Sequence, residues 1–344
     1  MIIEYIIFFL FSFCLTYLLV PLNIRFSRKF NLIDVPHERG IHKKEIPLAG
    51  GFSFAIPIIL LQLVFIFKYQ ELSFHMLKLA VGSFFILTLG YLDDKRKFTA
   101  NYKLLFQILI IIAMYYWGFR IELLTNPFGA DFKLGILSFP TTIIWFLLVI
   151  NAFNLIDGID GLASGIAIIV SAVLLAMGII KTNGTVILLS IVLIGSNLAF
   201  LRYNFYPAKI FMGDTGSLFI GFNIAAISII GTSQYKGFIA MTLLIPLTAL
   251  IIPISDTFTS ILRRLKRKEN IFKPDKEHLH HKMLKLGFSQ KAIALISYFI
   301  TFTFGLIALG FSLIDKRVLF SLLIILGILV LIIIYYIIKK EFFK

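Results

Sequence analysis

The sequence is poor in charge. Lys, Arg, Asp and Glu make up 15% of its 344 residues while 59% are hydrophobic, against about 25% charged and about 45–50% apolar in soluble domains. It has one cysteine, Cys14, so no internal disulfide can form. The first twenty residues carry Glu4 and no Lys or Arg. They lack the basic start of a secretory signal and are expected to remain as a first membrane span. No internal repeat, inverted symmetry or low-complexity tract is visible. These shortages exclude a water-soluble, a disordered and a fibrous protein. An outer-membrane barrel is excluded by continuous apolar runs such as residues 319–338, where a barrel would alternate. What is left is an all-α, polytopic integral membrane protein with a mean hydropathy of +0.94.

The apolar runs predict eleven spans, near residues 2–20, 48–67, 75–92, 102–119, 136–154, 161–180, 185–201, 210–230, 237–260, 292–313 and 318–338. Each must be helical, because lipid offers backbone groups no partner outside the segment. Pro246 and Pro253 fall in the ninth, which is expected to be kinked or broken. The formal net charge is +15, and with eleven spans 25 of the 33 Lys and Arg residues fall in one set of loops and 8 in the other. Basic residues accumulate in cytoplasmic loops, so the N-terminus is expected outside and the C-terminus in the cytoplasm. The whole chain, 1–344, reads as a single domain whose site is built from cytoplasmic segments near 21–47, 93–101, 155–160, 202–209 and 261–291.

Carboxylates near a bilayer are costly enough to need a task, and here they gather in those cytoplasmic segments. Between spans one and two, residues 34–51 mix cations, including Lys43, with Gly50-Gly51 at a helix start. That suits anion binding by backbone N–H groups, although an ordinary basic loop has the same look. After span three comes Asp93-Asp94, followed by Lys95, Arg96, Lys97 and then Lys103. Adjacent carboxylates repel and need a metal or cations to hold them, which a solvated loop could also supply.

Between spans five and six, Asn151, Asn154, Asp157 and Asp160 are spaced three apart, so wherever the segment is helical neighbours share a face. Such oxygen ligands suit a hard cation such as Mg²⁺. A polar turn accounts for Asp157-Gly158 but not for both asparagines. Leading into span eight, Asn204, Phe211 and Gly213-Asp214-Thr215-Gly216-Ser217 place a carboxylate between glycines that permit close approach of a phosphate; a simple helix cap is the alternative. His278, His280 and His281 sit in a strongly basic segment. They lack the Cys or second spaced pair usual for zinc and read more naturally as diphosphate contacts, with a solvated basic loop as the plainer option.

In this order the segments resemble the polyprenyl-phosphate N-acetylhexosamine-1-phosphate transferases, to which the phospho-MurNAc-pentapeptide transferases are related. The resemblance runs from Asp34 to His281, nearly the whole chain. It implies a catalytic set of Asp93, Asp94 and Asp157, with Asp93 the usual candidate for a base. It implies Mg²⁺, with Mn²⁺ as a substitute, held by Asp214 and Asn154. Lys43, Lys103, Asp160, Asn204, Phe211, His278, His280 and His281 are implied to contact substrate. Pro-Leu-Ala-Gly-Gly at 47–51 and His-Leu-His-His at 278–281 differ from the pentapeptide enzymes and match the GlcNAc-1-phosphate branch. The implied partners are a UDP-N-acetylhexosamine, most simply UDP-GlcNAc, a polyprenyl phosphate and the membrane, with no nucleic acid. A homodimer is allowed. The implied place is a bacterial cytoplasmic membrane, with the product starting a cell-envelope polysaccharide such as lipopolysaccharide or teichoic acid.

The expected chemistry is attack by the lipid phosphate on the β-phosphorus of the UDP-sugar, which expels UMP. A phosphate monoester has its second pKa near about 6 and is mostly dianionic at neutral pH, so holding the nucleophile in line is a larger task for Asp93 than removing a proton. The rival classes are a pentapeptide transferase and, more remotely, a secondary transporter. Transporters tend to place ionisable groups near the midplane in repeated halves, a pattern this sequence lacks.

The distribution of basic residues generates a test of topology. A reporter fused after Lys344 should behave as cytoplasmic and one inserted near Asn183 as extracytoplasmic. Both reporting the same compartment would contradict the span count.

Overall fold

The computed structural model describes residues 2–35, 45–69, 73–124, 132–234 and 287–310, with a few helical positions between 321 and 332. The ninth span, most of the eleventh, Pro246, Pro253, Lys43, His278, His280 and His281 lie outside the described residues.

Nine helices carry the described chain: α1 Ile2–Lys29, α2 Gly50–Lys68, α3 Ser73–Arg96, α4 Ala100–Tyr116, α5 Ser138–Ile156, α6 Leu162–Ile180, α7 Gly184–Asn204, α8 Gly213–Gln234 and α9 Gln290–Gly310. They correspond to spans one to eight and ten. Eight of the nine described are long and apolar enough to cross a membrane; α4, at 17 residues, is about 26 Å long. The chain is thus an all-α polytopic membrane protein. Two small antiparallel ribbons complete the described residues. In one, β1 Ile33–Asp34 pairs with β2 Ile46–Pro47, with Ile33 opposite Pro47. In the other, β3 Leu123–Leu124 pairs with β4 Phe132–Lys133.

Helix ends differ from the hydropathy edges for an electrostatic reason. The last turn of α1 holds Arg28 and Lys29, and that of α3 holds Lys95 and Arg96. Cations there favour the negative end of the helix dipole, so both helices run past the apolar stretch. Asp93 and Asp94 therefore sit on the final turns of α3, where a loop beginning at 93 was expected.

The hub is α8. Of its spanning stretch 89% is buried, against 22% for α1. It packs against α2, α3, α5, α6 and α7. Close approach is set by missing side chains, the usual device where lipid supplies no hydrophobic drive between helices. A Cβ on Gly51 would stand 2.4 Å from Gly216 N, and one on Gly90 2.4 Å from Asp214 O. Polar side chains cross-link the helices inside the bundle: the Asn223 Oδ1 atom of α8 accepts from Gln62 Nε2 of α2 at 2.8 Å and from Ser83 Oγ of α3 at 3.1 Å, and Trp145 Nε1 donates to Ser228 Oγ at 3.0 Å. The chain alternates direction, so the starts of α2, α4, α6 and α8 meet the ends of α1, α3, α5 and α7 at one end of the bundle.

Candidate active site

The segments entering α2 and α8 are laced together by backbone bonds. Phe211 N donates to Pro47 O at 2.8 Å, Gly50 N to Phe211 O at 3.0 Å and Gly51 N to Met212 O at 3.1 Å. The two glycine amides expected to face an anion are therefore engaged on the loop before α8, and Phe211 contributes its backbone to that seam.

Gly213, at φ +66°, turns the chain into α8 in a conformation that glycine adopts without cost. A Cβ there would lie 2.6 Å from Asp94 Oδ2. The Asp94 carboxylate fills that space and caps the helix. Its Oδ1 accepts from Asp214 N at 2.8 Å, and its Oδ2 accepts from Thr215 N at 2.9 Å and from Thr215 Oγ1 at 2.5 Å. A negative side chain that closes the first amides of a helix satisfies orphan donors and complements the dipole. The adjacent acids are held by different partners: Asp94 takes the first amides of α8, while Asp93 takes Phe98 N and the Lys103 ammonium.

Asp93, 6% exposed, accepts from Phe98 N at 2.8 Å through Oδ1 and pairs with Lys103 Nζ at 2.9 Å through Oδ2. Lys103, from the first turn of α4, also reaches Asp214 Oδ2 at 2.5 Å and Asn154 Oδ1 at 3.1 Å. Asn154, from the last turn of α5, donates through Nδ2 to Asp214 Oδ1 at 2.5 Å and to Ser217 Oγ at 3.0 Å. Four helices thus place three oxygen-bearing side chains around one ammonium. One turn deeper, Asn151 Nδ2 donates to the buried Gln107 Oε1 at 2.9 Å, tying α4 to α5 beneath the cluster. The cluster opens into a cavity of about 580 Å³ whose lining includes Asp93, Asp94, Lys97, Lys103, Asn154 and Asp214.

The donor chemistry fits a magnesium ion. Among the described residues no three acidic or histidine side chains form a ready-made cage. Mg²⁺ is commonly held by only one or two carboxylates together with substrate phosphates and water, and Asp93, Asp214 and Asn154 already surround a cation, the Lys103 ammonium.

The remaining expected residues fall in two places. α5 ends at Ile156, so Asn151 and Asn154 share a helical face while Asp157 and Asp160 lie in the following loop. Asp157 is half-buried in this loop. Burial, with the nearby charges of Asp214, Asp94 and Asp160, pushes its pKa well above the usual carboxylate range. Asp160 Oδ2 accepts from Ala208 N at 2.9 Å. Asn204 is 2% exposed; it accepts from Ser164 Oγ at 2.8 Å and donates to Ile210 O at 3.0 Å, so its amide closes the loop before α8. Lys43 and the three histidines are outside the described residues.

Sequence reading missed Ser217, Thr215 and Gln107. Two of them have a spacing signal: Ser217 lies three residues after Asp214 on one helix face, and Gln107 four after Lys103.

Comparison with known proteins shows what the chain is similar to. Residues 76–232 match the model of Glycosyl transferase family 4. The chain is 37% identical over 308 residues, 89% of its length and 85% of the relative's, to a probable undecaprenyl-phosphate N-acetylglucosaminyl 1-phosphate transferase of Bacillus subtilis. It is 31% identical over 309 residues, 84% of its length and 79% of the relative's, to an undecaprenyl-phosphate alpha-N-acetylglucosaminyl 1-phosphate transferase of Yersinia pestis. A phospho-N-acetylmuramoyl-pentapeptide-transferase of Caldicellulosiruptor bescii is 30% identical over 90% of this chain and 97% of its own.

Breaking a buried ion pair from one side leaves an uncompensated charge, worth about 3–5 kcal/mol. Lys103→Met should therefore lower the thermal midpoint in detergent, and millimolar Mg²⁺ should recover more of it than it adds to the wild type. Equal Mg²⁺ effects on both proteins would count against a cation site at Asp93 and Asp214.

Proposed function

Because the chain belongs to the polyprenyl-phosphate hexosamine-1-phosphate transferases of glycosyl transferase family 4, we propose that it transfers N-acetylglucosamine-1-phosphate from UDP-N-acetylglucosamine to undecaprenyl phosphate. The phosphate oxygen of the lipid attacks the β-phosphorus, the bond to the bridging oxygen breaks, and UMP leaves with that oxygen. The product is undecaprenyl-diphosphate-N-acetylglucosamine. The names of the Bacillus and Yersinia relatives support the sugar and the lipid; the departures at 47–51 and 278–281 from the pentapeptide enzymes support the same choice.

The observation that carries the reading is the grouping of Asp93, Asp214 and Asn154 around Lys103 at the mouth of the cavity. Phosphoryl transfer asks a protein to position groups and neutralise charge more than to form bonds. Asp214 and Asn154, with Asp93 beside them, would hold Mg²⁺, which would neutralise charge on the diphosphate oxygens. Lys103 holds the two carboxylates together and supplies a second positive charge to the phosphates. Asp93, fixed by Phe98 N, orients the lipid phosphate, which is already anionic. Asp94 sets the start of α8. Asp157 and Asp160 flank the donor, with Asn204 and Phe211 shaping the loop behind it. Lys43 and His278, His280 and His281 are assigned to substrate on the motif alone. The site faces the cytoplasm, where basic residues accumulate. Eleven spans form a single domain, the segments near 21–47, 93–101, 155–160, 202–209 and 261–291 making the site.

One assay tests this. Purified full-length protein is given undecaprenyl phosphate, Mg²⁺ and in turn UDP-GlcNAc, UDP-GalNAc and UDP-MurNAc-pentapeptide, and UMP release and lipid-extractable label are measured. UDP-GlcNAc should be used at least tenfold faster than the others, and Asp214→Ala should lose at least about 100-fold, the scale for removing one electrostatic contact to the transition state. Preferred use of the pentapeptide donor would contradict the assignment of sugar.

A further inference from the structure

The Asp157–Gly161 loop joins α5 to α6 with little regular structure of its own. Two contacts from distant sequence hold it. On one side, Asp160 Oδ2 takes the Ala208 amide, which fixes the loop to the segment before α8. On the other, Tyr298 of α9, 137 positions away, donates its hydroxyl to Gly161 O at 2.6 Å. Gly161 stands at φ +76° as the residue before α6, and its carbonyl also accepts the first helical bond from Gly165 N at 2.9 Å.

The contact needs room, and the sequence supplies it. A Cβ on Gly165 would fall 2.0 Å from Tyr298 Cζ and 2.1 Å from its hydroxyl oxygen. The phenol thus lies in the notch left by the missing side chain, with its polar end on a carbonyl. A hydroxyl within a spanning helix requires such a partner, because unpaired polar groups are costly away from water.

We propose that Tyr298 is a positioning residue. Through the notch at Gly165 its hydroxyl holds Gly161, and with it the Asp157–Gly161 loop, in the conformation that seats the nucleoside diphosphate of the donor. The inference rests on the transferase reading above and deepens it. Tyr298 touches none of the reacting groups. Its effect reaches the donor through Gly161 and Asp160, and among the described residues it makes no hydrogen bond to Asp93, Lys103 or Asp214. Loss of the hydroxyl should therefore weaken donor binding and spare the chemical step.

The test uses full-length Tyr298→Phe and Gly165→Ala, read by amide hydrogen exchange over residues 157–166 and by steady-state kinetics with UDP-GlcNAc and undecaprenyl phosphate. For Tyr298→Phe, exchange at 161–165 should rise and the donor KM should increase about 3- to 10-fold, the scale of one hydrogen bond. The lipid KM and kcat should stay within about twofold. Gly165→Ala, which leaves the hydroxyl but removes its notch, should shift both readouts the same way. Unchanged exchange in Tyr298→Phe, or a fall in kcat at an unmoved donor KM, would overturn the proposal. A wild type that does not turn over UDP-GlcNAc would instead overturn the transferase reading, while the exchange measurement would still decide whether Tyr298 holds the loop.

Discussion

The carboxylate of Asp94 closed over the first amides of α8 is the interaction on which the site depends. It is an acid held inside the end of a helical bundle, and it is tolerated because both oxygens receive hydrogen bonds from a helix terminus whose dipole favours a negative group. Asp214 is one of the residues it caps. The side chain of Asp214 therefore leaves a fixed backbone in a fixed direction, toward Lys103 and Asn154. An adjacent residue on α3 does different work: Asp93 takes Phe98 N and pairs with the Lys103 ammonium that also holds Asp214. The Asp-Asp pair is a division of labour between an acid that caps α8 and an acid that pairs with Lys103.

The rest of the bundle supports that junction. α8 is the most enclosed of the described spans, and it is gripped where glycine lets backbones touch, by Gly51 at Gly216 and by Gly90 at Asp214 and Thr215. Deeper in the membrane Asn223 accepts from α2 and α3 together, which fixes the rotation of α8 about its axis. Each of these contacts acts on the same geometric quantity, the position of Asp214 relative to the ends of α3, α4 and α5. In a family that moves phosphorylated sugars onto a lipid, the water-facing donor and the membrane-bound acceptor must meet at one end of the bundle, and that is where the acidic and amide side chains collect.

Much of this was legible in the residues. Hydropathy located nine of the described helices, because lipid permits only one way to pair a backbone. The acids and amides of 93–94, 151–160 and 214 stood out for their rarity among apolar neighbours. What spacing could not reveal was direction. Nothing in Asp93-Asp94 tells which acid caps α8 and which pairs with Lys103; that depends on a positive-φ glycine 119 residues beyond Asp94. The Gly50-Gly51 amides resembled an anion seat until the Phe211 and Met212 carbonyls were found against them. Asn204 carries a substrate-type amide whose two groups are both used within the fold. Tyr298 carried no signal at all, since its meaning lies in an absent side chain at Gly165.

The division of labour is tested most directly by comparing the thermal unfolding midpoints of Asp93→Asn and Asp94→Asn, purified side by side in the same detergent. An amide at 94 cannot accept from all three donors with both its ends, so that variant should lose stability on the scale of about 1–3 kcal/mol. An amide at 93 can still accept from Phe98 N, and Lys103 keeps Asp214, so that variant should lose less stability than Asp94→Asn while losing turnover. Equal midpoints, or a stable Asp94→Asn beside an unstable Asp93→Asn, would contradict the account.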